Sequence, residues 1–166
     1  MTAHGERDEI DAPLAEQVAY YSARAHEYSE TAIPDLPIDD LTRGRDAAIK
    51  ALGEFRPTGD VLELACGPGT WTPLLLRHAD SLTAVDASPE MIELARTTVP
   101  AGRVRFVHAD VFGWEPDRRY DVVFFGFWLS HVPLERFENF WSLVDRCLRA
   151  NGRVAFVDDA YGRLRS

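Results

Sequence analysis

Short apolar runs alternate with amphipathic stretches along most of this 166-residue chain. The runs are rich in Val, Leu and Phe, which is typical of buried strands in a parallel sheet. These predicted strands cover residues 61–65, 81–86, 103–109, 120–125 and 153–157. The amphipathic stretches repeat apolar side chains at helical spacing, and the predicted helices cover residues 14–30, 41–55, 71–78, 89–98 and 134–149. Strands and helices in alternation predict an α/β fold, in which helices cover both faces of a doubly wound, mostly parallel sheet.

Capping residues mark the ends of two of these helices. Ser88 is a preferred N-cap, and Pro89 takes the first helical position, where its missing N–H is not needed. Asn151–Gly152 predicts the end of the last helix, with the glycine in the left-handed conformation.

One predicted strand leads directly into a glycine turn and then a helix. Gly67 and Gly69 follow the strand at 61–65, and a glycine lets the backbone approach a ligand without interference from a Cβ atom. Ligands of doubly wound sheets bind outside the carboxyl ends of the strands. The strand–turn–helix unit therefore predicts the entry to a nucleotide-cofactor site.

Asp86 ends the second predicted strand, 19 residues after Gly67. An acid at this position accepts hydrogen bonds from both hydroxyls of a ribose, which suits NAD and S-adenosylmethionine alike. The alternative is an acid that only caps the next helix, although Ser88 already fills that role. Two features count against a dinucleotide. Thr72 stands where a third glycine would, and Pro68 removes an N–H from a loop in which a pyrophosphate needs donors.

Five segments resemble motifs of class I S-adenosylmethionine-dependent methyltransferases, and they occur in the family's order and spacing. E-L-A-C-G-P-G-T at 63–70 resembles motif I, V-D-A-S-P-E-M-I-E-L-A-R at 85–96 the second motif, and F-V-H-A-D-V at 106–111 the third. D-V-V-F-F-G-F-W-L-S-H-V-P at 121–133 and Y-Y-S-A-R-A-H-E-Y at 20–28 are similar to segments of the branch that methylates small molecules. The resemblance implies a Rossmann-like sheet with strand order 3-2-1-4-5 and N-terminal helices.

The same resemblance implies S-adenosyl-L-methionine as cofactor and gives individual residues a role. Asp86 would bind the ribose hydroxyls, Asp110 the adenine amino group, and the Phe127 carbonyl the methionine ammonium. The other positions implied to line the cofactor or to close over it are Tyr21, Tyr28, Arg45, Glu63, Ala65, Gly67, Gly69, Ala87, Met91 and Val111.

Methyl transfer from a sulfonium is an in-line displacement, so the protein mainly has to align the reactants and exclude water. A general base assists when the acceptor is a hydroxyl or an ammonium. His131 is the foremost candidate because it follows the fourth strand and titrates near neutral pH. Asp158, Asp159 and Tyr21 are further candidates. A structural role is the alternative for each of them.

Charge and cysteine content narrow the classes of partner. The formal net charge is −9, and residues 1–40 hold ten acids against two arginines. No basic stripe is present, so we do not expect a nucleic acid as partner. The resemblance implies a small-molecule acceptor instead. No apolar run reaches the ~20 residues that span a bilayer, and we expect a soluble, cytoplasmic protein with no membrane partner. The two cysteines, Cys66 and Cys147, lack metal-ligand spacing and are expected to be reduced thiols, with no metal bound.

The chain divides into three predicted parts. Residues 1–12 form a disordered acidic tail, 13–56 N-terminal helices that act as a lid, and 57–166 the Rossmann-like core. The family's final antiparallel hairpin has no counterpart in the sequence after the fifth strand. That strand is then an exposed sheet edge, through which we expect a homodimer. The alternative is a truncated or inactive cofactor-binding module that serves as a partner subunit.

Overall fold

The structure is a computed structural model, and it describes residues 38–158 together with residues 16 and 19. The helices are α1 (Ile38–Phe55), α2 (Thr72–Leu76), α3 (Pro89–Thr97) and α4 (Phe137–Cys147). The strands are β1 (Asp60–Leu64), β2 (Ser81–Asp86), β3 (Val104–His108), β4 (Tyr120–Gly126) and β5 (Leu148–Val157). Two 3₁₀ turns, Leu129–His131 and Leu134–Arg136, lie between β4 and α4. The predicted helix at 14–30 falls outside this range except for residues 16 and 19, which are helical.

The described strands form one sheet in the order β3-β2-β1-β4-β5, and each pairs in parallel with its neighbours. This confirms the predicted fold class and strand order. The order reverses at β1, so the carboxyl ends of β1, β2 and β4 open onto a common edge, where ligands of such sheets bind. Among the described helices, none has the length and apolar content needed to cross a membrane.

The apolar side chains of the central strands alternate between two buried clusters, one on each face of the sheet. Leu62 and Phe125 belong to the cluster that α4 covers. Val61 and Phe124, their immediate neighbours in sequence, belong to the cluster that α1 and α2 cover. Side chains of a strand point to opposite faces in turn, so both faces of β1 and β4 must be apolar. The two clusters hold the carboxyl edge of the sheet in place.

The predicted boundary between the last helix and strand is wrong. The helix ends at Cys147, not Arg149, and β5 begins at Leu148. Leu148 pairs with Tyr120, after which the register shifts so that Arg153 pairs with Val122. Gly152 is not in the left-handed conformation. It lies so close to Leu148 that an added Cβ would meet the Leu148 Cδ2 atom at 2.7 Å. The glycine therefore serves a close approach within an irregular strand and not a helix end.

Candidate functional site

The Asp86 carboxylate connects two of the strand ends at the carboxyl edge. Its Oδ2 atom accepts the Gly67 N–H at 2.8 Å, and its Oδ1 atom accepts the Ser88 N–H at 2.9 Å. Asp86 is half-buried, and burial raises its pKa, while the N–H groups of Ser88, Gly67 and Ala87 act in the opposite direction. An ionised carboxylate has about four lone-pair sites. The two bonds therefore fix Asp86 and leave it acceptor capacity for the hydroxyls of a ligand.

The two glycines of the turn have different roles. Gly67 has φ +53°, and a Cβ placed on it would meet nothing within 4 Å, so this glycine borders open space. Gly69 has φ +83°, and a Cβ placed on it would lie 2.8 Å from the Ala95 Cα atom of α3. Gly69 thus allows the turn to pack on α3, whereas Gly67 allows a ligand to approach the backbone. Ala65, at φ +51°, adopts the left-handed conformation without being a glycine.

Glu63 lies inside the protein, behind the turn. Its side chain is 1% exposed, and the Thr72 hydroxyl donates to its Oε2 atom at 2.7 Å. Burial raises the pKa of Glu63 to about 8, and the charge of Asp86 adds to the shift, while the Thr72 bond opposes it. The pair links β1 to the first residue of α2. A direct contact between Glu63 and a cofactor stays a prediction.

The end of β4 has an unusual backbone. Phe127 has φ +55°, is 41% exposed, and donates its N–H to the Val157 carbonyl at 2.7 Å. A bulky residue in this conformation is strained and persists only where its surroundings enforce it. The bond to Val157 ties the end of β4 to the end of β5. A contact between Phe127 and the methionine portion of the cofactor stays a prediction.

The structure brings two of the four base candidates, His131 and Asp158, into one loop cluster. His131 is exposed at the end of the first 3₁₀ turn, and its N–H donates to the Trp128 carbonyl at 2.9 Å. The neighbouring Ser130 donates its N–H to the Asp158 Oδ2 atom at 3.1 Å. Both candidates therefore follow strands that end at the ligand edge.

The residues expected around the adenine flank the ends of β2 and β3. Asp110 is exposed, and its Oδ1 atom accepts the Phe112 N–H at 3.0 Å. Met91 and Val111 are buried, with exposures of 2% and 3%. Because these two side chains are buried, we expect them to line the adenine site by packing and not to donate or accept hydrogen bonds there.

His108 is a residue of this region that sequence reasoning missed. Its Nε2 atom lies 3.0 Å from the Ala87 carbonyl oxygen, and it pairs with Asp86 across β2 and β3. It thereby fixes the segment that follows Asp86. In the sequence, His108 stands two residues before Asp110 at the end of a predicted strand, and this position could have marked it as a residue of the ligand edge.

The remaining candidates come from the N-terminal region. Tyr21 and Tyr28 lie outside the described residues, as does Asp159 after β5. Arg45 is exposed in the first half of α1. Their roles, and the lid formed by residues 13–56, stay predictions.

The chain is similar in sequence and in fold to known methyltransferases. The family model described as a methyltransferase domain matches residues 61–152. Trans-aconitate 2-methyltransferase of Enterobacter sp. (strain 638) is 42% identical over 76 residues, which are 45% of this chain and 29% of that protein. Its counterpart in Escherichia coli O7:K1 (strain IAI39 / ExPEC) is 37% identical over 97 residues, which are 57% of this chain and 37% of that protein. The chain thus spans about a third of the length of the curated relatives it matches.

Two solved structures are also similar. The DhpI-SAM-HEP complex has a TM-score of 0.78 and 42% identity, and the match covers 95% of this chain and 68% of DhpI. N-methyltransferase NodS from Bradyrhizobium japonicum WM9, in complex with S-adenosyl-L-homocysteine, has a TM-score of 0.71 and covers 84% of this chain and 71% of its own. At 17% identity, NodS supports the fold alone.

The chain belongs to the methyltransferase domain family. Within it, the sheet order and the strand–turn–helix unit are those of the class I S-adenosylmethionine-dependent methyltransferases. The family predicted from the five motifs is confirmed.

Proposed function

We propose that this chain binds S-adenosyl-L-methionine and transfers its methyl group to a small-molecule acceptor. The observation that carries the proposal is the Asp86 carboxylate, held by the Gly67 and Ser88 N–H groups beside a glycine that borders open space. This arrangement supplies acceptors for a ribose diol beside a stretch of backbone that a ligand can approach.

The same geometry disfavours a dinucleotide. A pyrophosphate needs N–H donors at the glycine turn, but the Gly67 N–H is already donated to Asp86. Pro68 has no N–H to offer. The half-buried Asp86 carboxylate would also repel a phosphate placed against the turn. A cofactor with a sulfonium and an ammonium needs no N–H donors for a pyrophosphate, and its positive charges are not repelled by the Asp86 carboxylate.

In the proposed reaction, the acceptor atom attacks the sulfonium methyl carbon, the carbon–sulfur bond breaks, and S-adenosyl-L-homocysteine leaves. Asp86 would accept hydrogen bonds from the ribose hydroxyls, Asp110 from the adenine amino group, and the Phe127 carbonyl from the ammonium. His131 or Asp158 removes the proton when the acceptor is a hydroxyl or an ammonium. The relatives support a small organic acceptor, since they include trans-aconitate 2-methyltransferases and a DhpI complex that contains HEP.

Isothermal titration with S-adenosylmethionine, S-adenosylhomocysteine and NAD tests the cofactor. We expect the two adenosine compounds to bind and NAD not to bind. Asp86→Ala should weaken them at least about tenfold, because hydrogen bonds to a charged group contribute roughly 1.5–3 kcal/mol. Asp145→Ala, at an exposed position of α4, is the matched control. Binding of NAD alone, or an unaffected Asp86→Ala variant, would contradict the proposal.

Turnover separates an enzyme from the inactive module considered above. We expect S-adenosylhomocysteine to form when the chain and cofactor are incubated with small carboxylic acids and hydroxy compounds. With a responsive acceptor, His131→Gln and Asp158→Asn show which side chain acts as base, through the loss of kcat. Cofactor binding without product across a broad acceptor screen would favour the module.

We also propose an oligomeric state and a location in the cell. The first is a homodimer through the outer edge of β5. The second is a cytoplasmic location.

A further inference from the structure

Trp71 packs between the glycine turn and the end of β4. It precedes α2 and is 5% exposed. Its ring centroid lies 5.8 Å from that of Phe124 and 6.2 Å from that of Phe127, with tilted planes in both cases. One side chain of the turn thus contacts two aromatic residues around the carboxyl end of β4.

Gly126 makes this contact possible. A Cβ placed on Gly126 would lie 2.5 Å from the Trp71 Nε1 atom and 2.7 Å from its Cδ1 atom. The indole therefore occupies the space that any other side chain at position 126 would need. Its N–H finds no hydrogen-bond partner among the described residues, so packing and not hydrogen bonding fixes the ring there.

Phe127 is the residue that this packing restrains. Its N–H is bonded to the Val157 carbonyl on the β5 side, and its ring is contacted by Trp71 on the β1 side. The left-handed φ of +55° is one of the two torsion angles that set the direction of its carbonyl, and such a conformation needs restraint from its surroundings. Without Trp71, the side chain would lose one of these restraints and the backbone could return to an ordinary conformation.

We propose that Trp71 is a positioning residue for the cofactor: its indole holds Phe127 in the left-handed conformation and so directs the Phe127 carbonyl at the ammonium of the cofactor's amino-acid portion. The inference rests on the proposed function. It assigns Trp71 an effect on one end of the cofactor only, because Asp86 and Asp110, which serve the adenosine end, are held by other contacts.

Two ligands distinguish this role from a general effect on folding. S-adenosylhomocysteine has the amino-acid portion, and 5′-methylthioadenosine lacks it. Titrated against the 166-residue chain, Trp71→Leu should bind S-adenosylhomocysteine about tenfold more weakly and methylthioadenosine as the wild type does. Trp71→Phe keeps an aromatic ring but loses the second ring of the indole, so it should bind S-adenosylhomocysteine more tightly than Trp71→Leu does and methylthioadenosine as the wild type does.

Trp141→Leu is the matched control. Trp141 packs against Phe125 and Phe140 in the cluster on the other face of the sheet, so its loss should lower thermal stability without changing the ratio of the two affinities. Gly126→Ala provides a second route, because the added methyl displaces the indole, and it should reproduce the selective loss if Trp71→Leu does not fold.

Equal weakening of both ligands, or unchanged binding of S-adenosylhomocysteine, in the folded variants would overturn the role of Trp71. If the wild-type chain binds neither ligand, the proposed function itself fails. If the wild type binds both ligands and Trp71→Leu does not selectively lose affinity for S-adenosylhomocysteine, only the positioning role of Trp71 fails.

Discussion

At the scale of single residues, Glu63 has the most unusual environment in the site. A carboxyl group with 1% exposure and one hydrogen bond from Thr72 is poorly solvated as an anion. Its pKa accordingly rises from 4.5 to about 8. The folded protein then holds a proton at neutral pH that the unfolded chain has released, which makes its stability depend on pH.

The sign of that dependence follows from proton linkage. Because the folded-state pKa is raised, the contribution of Glu63 is fully favourable below 4.5 and is lost as the pH rises to about 8. We expect the free energy of unfolding to fall by about 1 kcal/mol per pH unit in this window. In Glu63→Gln this component should be absent, which chemical denaturation at several pH values would measure.

The difference between the pH profiles of the wild type and Glu63→Gln gives the contribution of Glu63, since other titrating groups such as Asp86 contribute to both profiles. Glu138→Gln, at an exposed position of α4, should keep the wild-type profile. Parallel profiles for wild type and Glu63→Gln across this window would contradict the buried, protonated carboxyl.

Residue identity and spacing predicted where some of these residues lie, but they did not predict all of the contacts between side chains. Gly67, Asp86 and Ser88 were predictable because turns, strand ends and helix caps require particular residue types. The Glu63–Thr72 bond was not, since two side chains nine residues apart meet only after β1 and α2 have packed. The contact between His108 and Ala87, 21 residues apart, depends likewise on strand register.

At the scale of elements, the N-terminus of α3 shows how a helix cap that the sequence predicts also contacts a residue of the candidate site. Ser88 caps the helix, and its hydroxyl accepts the Met91 N–H at 3.2 Å. The Ser88 N–H meanwhile donates to Asp86. The start of α3 is thus joined to the carboxylate that we assign to the ribose.

Ser88→Ala should therefore destabilise the protein by about 1 kcal/mol, the usual effect of removing such a cap. For a domain of this size, that corresponds to a decrease in Tm of roughly 2–4 °C. Thermal denaturation checks the value, with Ser142→Ala, at an exposed position of α4, as control. An unchanged Tm for Ser88→Ala would argue that the cap contributes nothing.

The junction of α4 and β5 shows where local signals fail. Asn151–Gly152 has the composition of a helix end, yet tertiary pairing between Leu148 and Tyr120 starts the strand before it. The Arg149 guanidinium then donates to Asp60 at 2.6 Å and to Asp121 at 2.5 Å, which joins the beginnings of β1 and β4 to β5. Such a cluster forms from three distant segments, so the sequence around 151 could not reveal it.

At the scale of the whole molecule, the outer edge of β5 is the feature that bears on assembly. The sequence predicted that this edge is exposed. Within the described residues, β5 pairs with β4 alone. Phe156 is 51% exposed and stacks on Phe125 at 5.4 Å. A groove of about 270 Å³, lined by residues that include Leu52, Phe55 and Val154, runs between α1 and this edge. Unpaired edges with apolar side chains tend to associate.

If two copies pair through β5, light scattering after size exclusion should give a mass near twice the 18.7 kDa of the chain. Stable interfaces bury at least about 1,200 Å² in total, more than one pair of strands supplies, so the apolar groove must be covered as well. Phe156→Lys places a charge in that contact and should weaken the dimer about tenfold or more. Leu134→Lys, at a position 84% exposed elsewhere on the surface, should leave it intact. A wild-type mass of one chain at every concentration would exclude the pairing, whereas equal weakening by both substitutions would place the interface away from β5.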